Sequence, residues 1–259
     1  MLIAHISDFH VFAHAAETSV VRADAADAAR KVVADIAAFT PKIEAIMFTG
    51  DLTDGGSSED YALLADILAP IDVPIFVVPG NHDKRAGLRA MFDGKLPFEP
   101  GASLHYETSF KGIRILALDT LLDGRVHGAL NQIQLSWLDG KLAAPSKDLT
   151  LILMHHPAFP SAIAPLDDMA LQDGRDTFER LIVAHQGPLR ILSGHIHRPF
   201  QTLWNGIFCA VSGGPAFQHA LALDPAAPEP ATVNEPYAYF IHRISDERNV
   251  SIHTRYVEL

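Results

Sequence analysis

The chain has 259 residues, 48% hydrophobic and 20% charged, with one cysteine, fourteen histidines and a formal charge of -11. That length suits a single domain over residues 1–259 with a sizeable core, and the acidic balance excludes a basic face for wrapping duplex nucleic acid. Cys209 stands alone, which excludes an intramolecular disulfide and argues against thiolate metal ligands.

In chain order, residues 2–7 read as a strand, 21–39 as an amphipathic helix with Val32, Val33, Ile36 and Phe39 on one side, and 43–49 as a buried strand. A helix follows at 57–68, with Ser57 or Ser58 as its cap and Glu59 and Asp60 in the favourable first turn. A third strand at 73–78 ends in Pro79-Gly80. Short apolar strands separated by helices of this length indicate βαβ units and a largely parallel sheet. The rhythm then changes. A hairpin is expected at 104–110 and 113–118 around Lys111-Gly112, followed by a helix at 132–142, a strand at 149–154, a helix at 177–185 and a strand at 189–192. The rest is mostly β, at 200–204, 207–211, 237–244 and 250–257, with Asn205-Gly206 as a hairpin turn. Segments 156–173 and 213–236 read as loop insertions that border the substrate. No basic segment and long apolar run open the chain, and no apolar stretch reaches the roughly 18 residues that a membrane span needs. A cytoplasmic protein without a membrane partner is therefore expected.

Five polar blocks stand at the C-terminal ends of apolar strands: Asp8-Phe9-His10, Gly50-Asp51, Gly80-Asn81-His82-Asp83, His155-His156-Pro157 and Gly194-His195-Ile196-His197. Ligands of open α/β sheets bind outside these strand ends, so the five blocks can converge on one crevice. The donors are carboxylate, amide and imidazole with no sulfur, which suits Mn, Fe, Zn or Co. They are too many for one ordinary ion and enough for two. A carboxylate such as Asp51 can bridge two cations, and such a pair clamps an in-line displacement at phosphorus and lowers the pKa of a bound water to about 7, giving a hydroxide nucleophile.

In these blocks the chain resembles the calcineurin-like metallophosphoesterase superfamily, whose pattern runs D-x-H, G-D, G-N-H-D/E, H and G-H-x-H. The finer likeness is to the branch of class III cyclic-nucleotide phosphodiesterases and bacterial glycerophosphodiesterases. It is carried by Gly50-Asp51-Leu52-Thr53-Asp54-Gly55, by Gly128-Ala129-Leu130 running on to Gln134-Leu135-Ser136-Trp137-Leu138, by His155-His156-Pro157 and by the β-rich stretch 237–257. The resemblance implies an α/β four-layer αββα sandwich, two mixed sheets flanked by helices. It implies two divalent ions, one held by Asp8, His10 and His197 and the other by Asn81, His155 and His195, with Asp51 bridging. It groups Asp51, Asn81 and His82 as the catalytic set, with Asn81 and His82 facing the substrate and His82 steadying the phosphate or protonating the leaving alkoxide. The chain departs from the branch after Gly213-Gly214-Pro215, where a His-Gln pair is common and Gln218-His219 stands here. His219 is accordingly a candidate substrate contact.

The implied activity is metal-dependent hydrolysis of a small phosphodiester, a 3′,5′-cyclic nucleotide or a glycerophosphodiester. The alternatives are a broad-specificity phosphomonoesterase or nucleotidase, and a non-catalytic scaffold of the same fold. Retention of Asn81-His82 and His195/His197 argues against the scaffold, and the family leaves room for a homo-oligomer. Of the other histidines, His5 reads as a hydrogen-bonded core group and His156 as a support behind the ligands, since strand alternation points it away from them. His14, His105, His127, His185, His242 and His253 read as surface or sheet residues, and Cys209 as inert core.

Overall fold

The computed structural model describes residues 1–224, 226, 230–245 and 249–259. From the N-terminus it runs β1 (Leu2–Ile6), α1 (Ala25–Ala38), β2 (Ala45–Phe48), α2 (Ser58–Leu68), β3 (Ile75–Val77) and α3 (Arg85–Phe92). The hairpin of β4 (Tyr106–Phe110) and β5 (Ile113–Ala117) comes next, then β6 (Gly128–Ala129), α4 (Gln132–Leu142) and β7 (Thr150–Leu153). After α5 (Ala164–Asp167), β8 (Leu171–Asp173) and α6 (Arg175–Ala184) come β9 (Leu189–Ser193), β10 (Phe200–Trp204) and β11 (Ile207–Val211). The chain ends with β12 (Gln218–His219), β13 (Thr232–Val233), β14 (Tyr237–Ile244) and β15 (Val250–Val257).

Two large mixed sheets result, ordered β15-β14-β1-β2-β3 and β10-β11-β9-β7-β5-β4. In the first, β1, β2 and β3 are parallel and β14 and β15 antiparallel. In the second, β5, β7, β9 and β11 are parallel, with antiparallel strands at both edges. Strand alternation sorts the layers. Ile115, Ala117, Leu151, Leu153, Leu192 and Ala210 of the second sheet join the core that holds the first sheet together with Val32, Val33 and Ile36 of α1 and Leu64 and Ile67 of α2. Their neighbours Leu116, Ile152, Ile191, Cys209 and Val211 face the other way, against Leu135 and Leu138 of α4 and Phe178 and Ile182 of α6. The order of layers is therefore helix, sheet, sheet, helix, the expected αββα sandwich. Among the described residues no helix is long and apolar enough to cross a membrane.

Several boundaries differ from expectation for local reasons. The first helix begins at Ala25 rather than at residue 21, because the Arg22 backbone N–H donates to the Ala216 carbonyl at 3.0 Å and its guanidinium pairs with Asp24. Ser57 is the cap of α2, in a reciprocal capping box with Asp60. No helix was expected at α3, which buries only Leu88 and Phe92 and carries a glycine inside. Gly87 lets that helix lie against Tyr61, since a Cβ there would stand 2.3 Å from the ring. Segment 156–173 contains α5 and β8, and segment 213–236 contains β12 and β13. Residues 225 and 227–229 of the latter lie outside the described residues.

Candidate metal centre

The tips of β1, β2 and β3 from one sheet meet those of β7 and β9 from the other. Asp8, His10, Asp51, His195 and His197 all have left-handed backbones there, with φ of 58°, 45°, 48°, 72° and 51°. Such conformations cost of order 1–3 kcal/mol each for residues with a Cβ and persist where a site requires them. Each strand turns sharply at its tip, and the turn aims the side chain into the crevice. All five side chains but that of His195 are almost fully buried.

Four histidines define the donor set through their outward hydrogen bonds. His10 Nδ1 donates to Asp54 Oδ1 at 2.9 Å, His197 Nδ1 to the Phe217 carbonyl at 3.1 Å, His155 Nδ1 to the Thr49 carbonyl at 2.7 Å, and His195 Nε2 to the Met169 carbonyl at 2.9 Å. Each partner can only accept, so each ring turns its remaining nitrogen, bearing the lone pair in the neutral form, inward. The inward atoms crowd against other acceptors. His10 Nε2 is 3.1 Å from His197 Nε2 and 3.4 Å from Asp51 Oδ2, and His197 Nε2 is 3.3 Å from Asp8 Oδ1. His155 Nε2 is 3.2 Å from both Asn81 Oδ1 and Asp51 Oδ2, and His195 Nδ1 is 3.1 Å from Asn81 Oδ1. With all four rings neutral, the converging lone pairs fit a cation.

The electrostatics of the metal-free chain agree with that fit. Burial pushes Asp51 up, but the nearby His155 and His10 outweigh it and hold the carboxyl well below its usual range. Burial disfavours a charge on His155, yet Asp51 overrides it and raises the ring to about 9, so a proton stands between His155 and Asp51 at neutral pH. Burial, reinforced by His155, lowers His195 to about 3, and burial with His10 holds His197 well below the usual histidine range. Both rings are neutral and ready to ligate at pH 7. Asp8 is raised to about 6, by burial first.

His82 stands beside this set with about a fifth of its side chain exposed. Its backbone N–H donates to Asp51 Oδ1 at 2.8 Å, and its Nδ1 lies 3.0 Å from the Asp54 carbonyl and 3.2 Å from Asp54 Oδ1. Burial works against the charged ring, but Asp51 and Asp54 outweigh it and lift His82 to about 10. Asp54, fully buried, thus serves both His10 and His82. The sequence pattern assigns it no role, although its place three residues after Asp51 is a visible signal. The carbonyls of Thr49, Met169 and Phe217 could not be read from side-chain identity at all.

The remaining candidates also have clear positions. His156 spends both ring nitrogens on Thr120 Oγ1 (2.8 Å) and the Val126 carbonyl (2.9 Å) and packs its ring 4.5 Å from that of His195, behind the ligand set. His219 lies 6.2 Å, ring to ring, from His197, beyond Phe217, which stacks on His197 at 3.6 Å. His5 is buried and hydrogen-bonded to Thr49 Oγ1. Cys209 is buried, its thiol pushed up to about 12 by desolvation.

Buried oxygen and imidazole donors at the strand tips of an αββα sandwich, completed by a partly exposed histidine, define the class of metal-dependent hydrolases. Residues 1–199 match the family model described as calcineurin-like phosphoesterase, and the chain belongs to that family. It is 31% identical over 257 residues to a probable glycerophosphodiester phosphodiesterase of Arcobacter nitrofigilis, covering 99% of this chain and 93% of that protein. It is also 31% identical over 229 residues to a cAMP/cGMP dual specificity phosphodiesterase of Mycobacterium tuberculosis, covering 86% and 70%. A dimetal phosphatase from Danio rerio shares the fold, with a TM-score of 0.70 at 16% identity over 99% of this chain and 95% of that one. The family and the clustered donors together support a divalent metal centre in a phosphoric ester hydrolase.

Proposed function

We propose that the chain hydrolyses a small phosphodiester, a glycerophosphodiester or a 3′,5′-cyclic nucleotide, at a centre of two divalent ions. Asp8, His10 and His197 would hold one ion and Asn81, His155 and His195 the other. One observation carries this: Asp51 Oδ2 lies 3.4 Å from His10 Nε2 and 3.2 Å from His155 Nε2, so a single carboxylate oxygen touches both halves of the donor set. Relatives named for phosphodiester hydrolysis cover most of the chain, which supports the substrate class.

Bound in this way, the cations would neutralise phosphoryl charge and acidify a water. The chain's own residues do the rest. Asp54 fixes the His82 ring through Nδ1, which leaves Nε2 to carry the transferable proton toward the leaving alkoxide. The amide of Asn81 has its Oδ1 turned toward His155 and His195, so its NH2 is available to a phosphoryl oxygen. His219, on the rim formed by β12, is a further contact for the substrate's alcohol group.

The test is direct. Chelated protein should be inactive, and Mn2+ should restore hydrolysis of bis(p-nitrophenyl) phosphate at least about tenfold faster than of p-nitrophenyl phosphate. Glycerophosphoethanolamine and cyclic AMP then separate the two diester classes. A metal-loaded enzyme faster on the monoester would overturn the diester assignment.

A further inference from the structure

Asp83 closes the Gly80-Asn81-His82-Asp83 block, yet its side chain does not face the donor set. It is 1% exposed and points beneath the turn that carries Asp51. Its Oδ2 accepts the backbone N–H groups of Leu52 (3.2 Å) and Gly80 (3.0 Å). Its Oδ1 accepts the Thr53 N–H, the Thr53 hydroxyl and the Tyr61 hydroxyl, each at 3.2 Å. Five donors thus converge on one carboxylate. Two of them are the amides that immediately follow Asp51, whose φ of 48° is a strained left-handed value. Buried N–H groups left without an acceptor are costly, so the carboxylate makes this turn the stable one. Gly80, the first residue of the block that Asp83 closes, is tied to the same carboxylate, which locks the β2 tip to the β3 tip. The lock is tight: a Cβ on Gly80 would stand 2.1 Å from Asp51 Oδ1.

We infer that Asp83 is a positioning residue, whose carboxylate clamps the Leu52 and Thr53 amides so that Asp51 reaches both halves of the metal centre. The inference rests on the two-ion assignment above. Tyr61 belongs to the same unit. It rises from α2, and its hydroxyl reaches Asp83 and also accepts the Lys84 N–H at 3.0 Å, which braces the carboxylate. Asparagine is the informative replacement, because it keeps the size but presents an NH2 to one of the two donor groups.

The experiment compares wild type with Asp83→Asn in two states. In the metal-free chain, amide exchange at Leu52 and Thr53 should be at least about tenfold faster in the variant, with exchange in the β7 and β9 core unchanged. With Mn2+, the exchange-coupled pair signal in the electron paramagnetic resonance spectrum should be lost or replaced by that of isolated ions. Turnover number should fall about 100-fold while KM stays within about threefold. If Asp83→Asn does not fold, Tyr61→Phe removes one Oδ1 donor and should raise Thr53 exchange about threefold. Unchanged exchange at both amides, or a coupled pair signal with wild-type turnover in Asp83→Asn, would overturn the positioning role. A wild type that never shows a coupled pair would instead overturn the two-ion assignment, and the metal-free exchange data tell the two failures apart.

Discussion

At the scale of single residues, the site gathers carboxylate, amide and imidazole groups around a space that favours positive charge, with a proton donor at its edge. That donor is His82. Its Nδ1 is committed to Asp54, and the Asp51 and Asp54 carboxylates favour its charged form. A group that protonates a leaving alkoxide matters most when the leaving alcohol is a poor acid. His82→Ala should therefore lower kcat about 100- to 10,000-fold on a glycerol-leaving diester, and far less on a p-nitrophenyl diester. Equal losses on both substrates would show that His82 does not supply the proton. The side-chain donors were legible because each block combines a ligand-capable residue with a strand end. Their supports were not. Three of the four histidine orienters are main-chain carbonyls, which have no letter in the sequence, and Asp54 becomes a support only once His10 and His82 are seen on either side of it.

At the scale of elements, the centre depends on two sheets approaching each other at their strand tips. The contact is tight at Gly194, just past β9, where an added Cβ would lie 1.9 Å from Ser7 Oγ and 2.7 Å from Asp8 Oδ2 at the end of β1. Neither neighbour can retreat easily, since Ser7 is fully buried with its hydroxyl donating to the Thr49 carbonyl at 3.1 Å, and Asp8 accepts the His195 N–H at 3.1 Å. Gly194→Ala must push the β1 and β9 tips apart. Overpacking of this kind costs about 1–3 kcal/mol, which for a chain of this size lowers Tm by roughly 2–12 °C. A displacement near 1 Å at a ligand costs about 100-fold in rate. Thermal melts and turnover measured together check this, and a variant with wild-type values in both would show that the tips are not in close register. The main strands were legible from apolar runs and turn signals, and α2 from its Ser57 cap. Helix α3 was hidden because it is short, spanning Arg85–Phe92, carries Gly87 inside, and has only Leu88 and Phe92 to mark a buried face.

At the scale of the whole molecule, folding and metal binding are linked through protons. In the metal-free chain His155 is raised to about 9, so its proton is bound more tightly in the folded state than in the unfolded one. That contribution to stability is fully present below about pH 6.5 and is lost as pH rises toward 9. A cation entering between His155 and Asp51 must displace the same proton, so its apparent affinity should rise about tenfold per pH unit across pH 6.5–8.5. Asp8, raised to about 6, adds a second proton to displace below that pH. Binding that favours only the folded state stabilises it by about 2.7 kcal/mol at a hundred times Kd. At a fixed Mn2+ concentration the metal-induced rise in Tm should therefore be small at pH 6 and grow steadily to pH 8, while the melting point of the chelated protein falls over the upper part of that range. Titration calorimetry in buffers of different ionisation enthalpy should register about one proton released per chain near pH 7.5. A Tm increment that is flat with pH, or larger at pH 6 than at pH 8, would show that no proton occupies the space between Asp51 and His155, and would remove the electrostatic basis for placing a cation there.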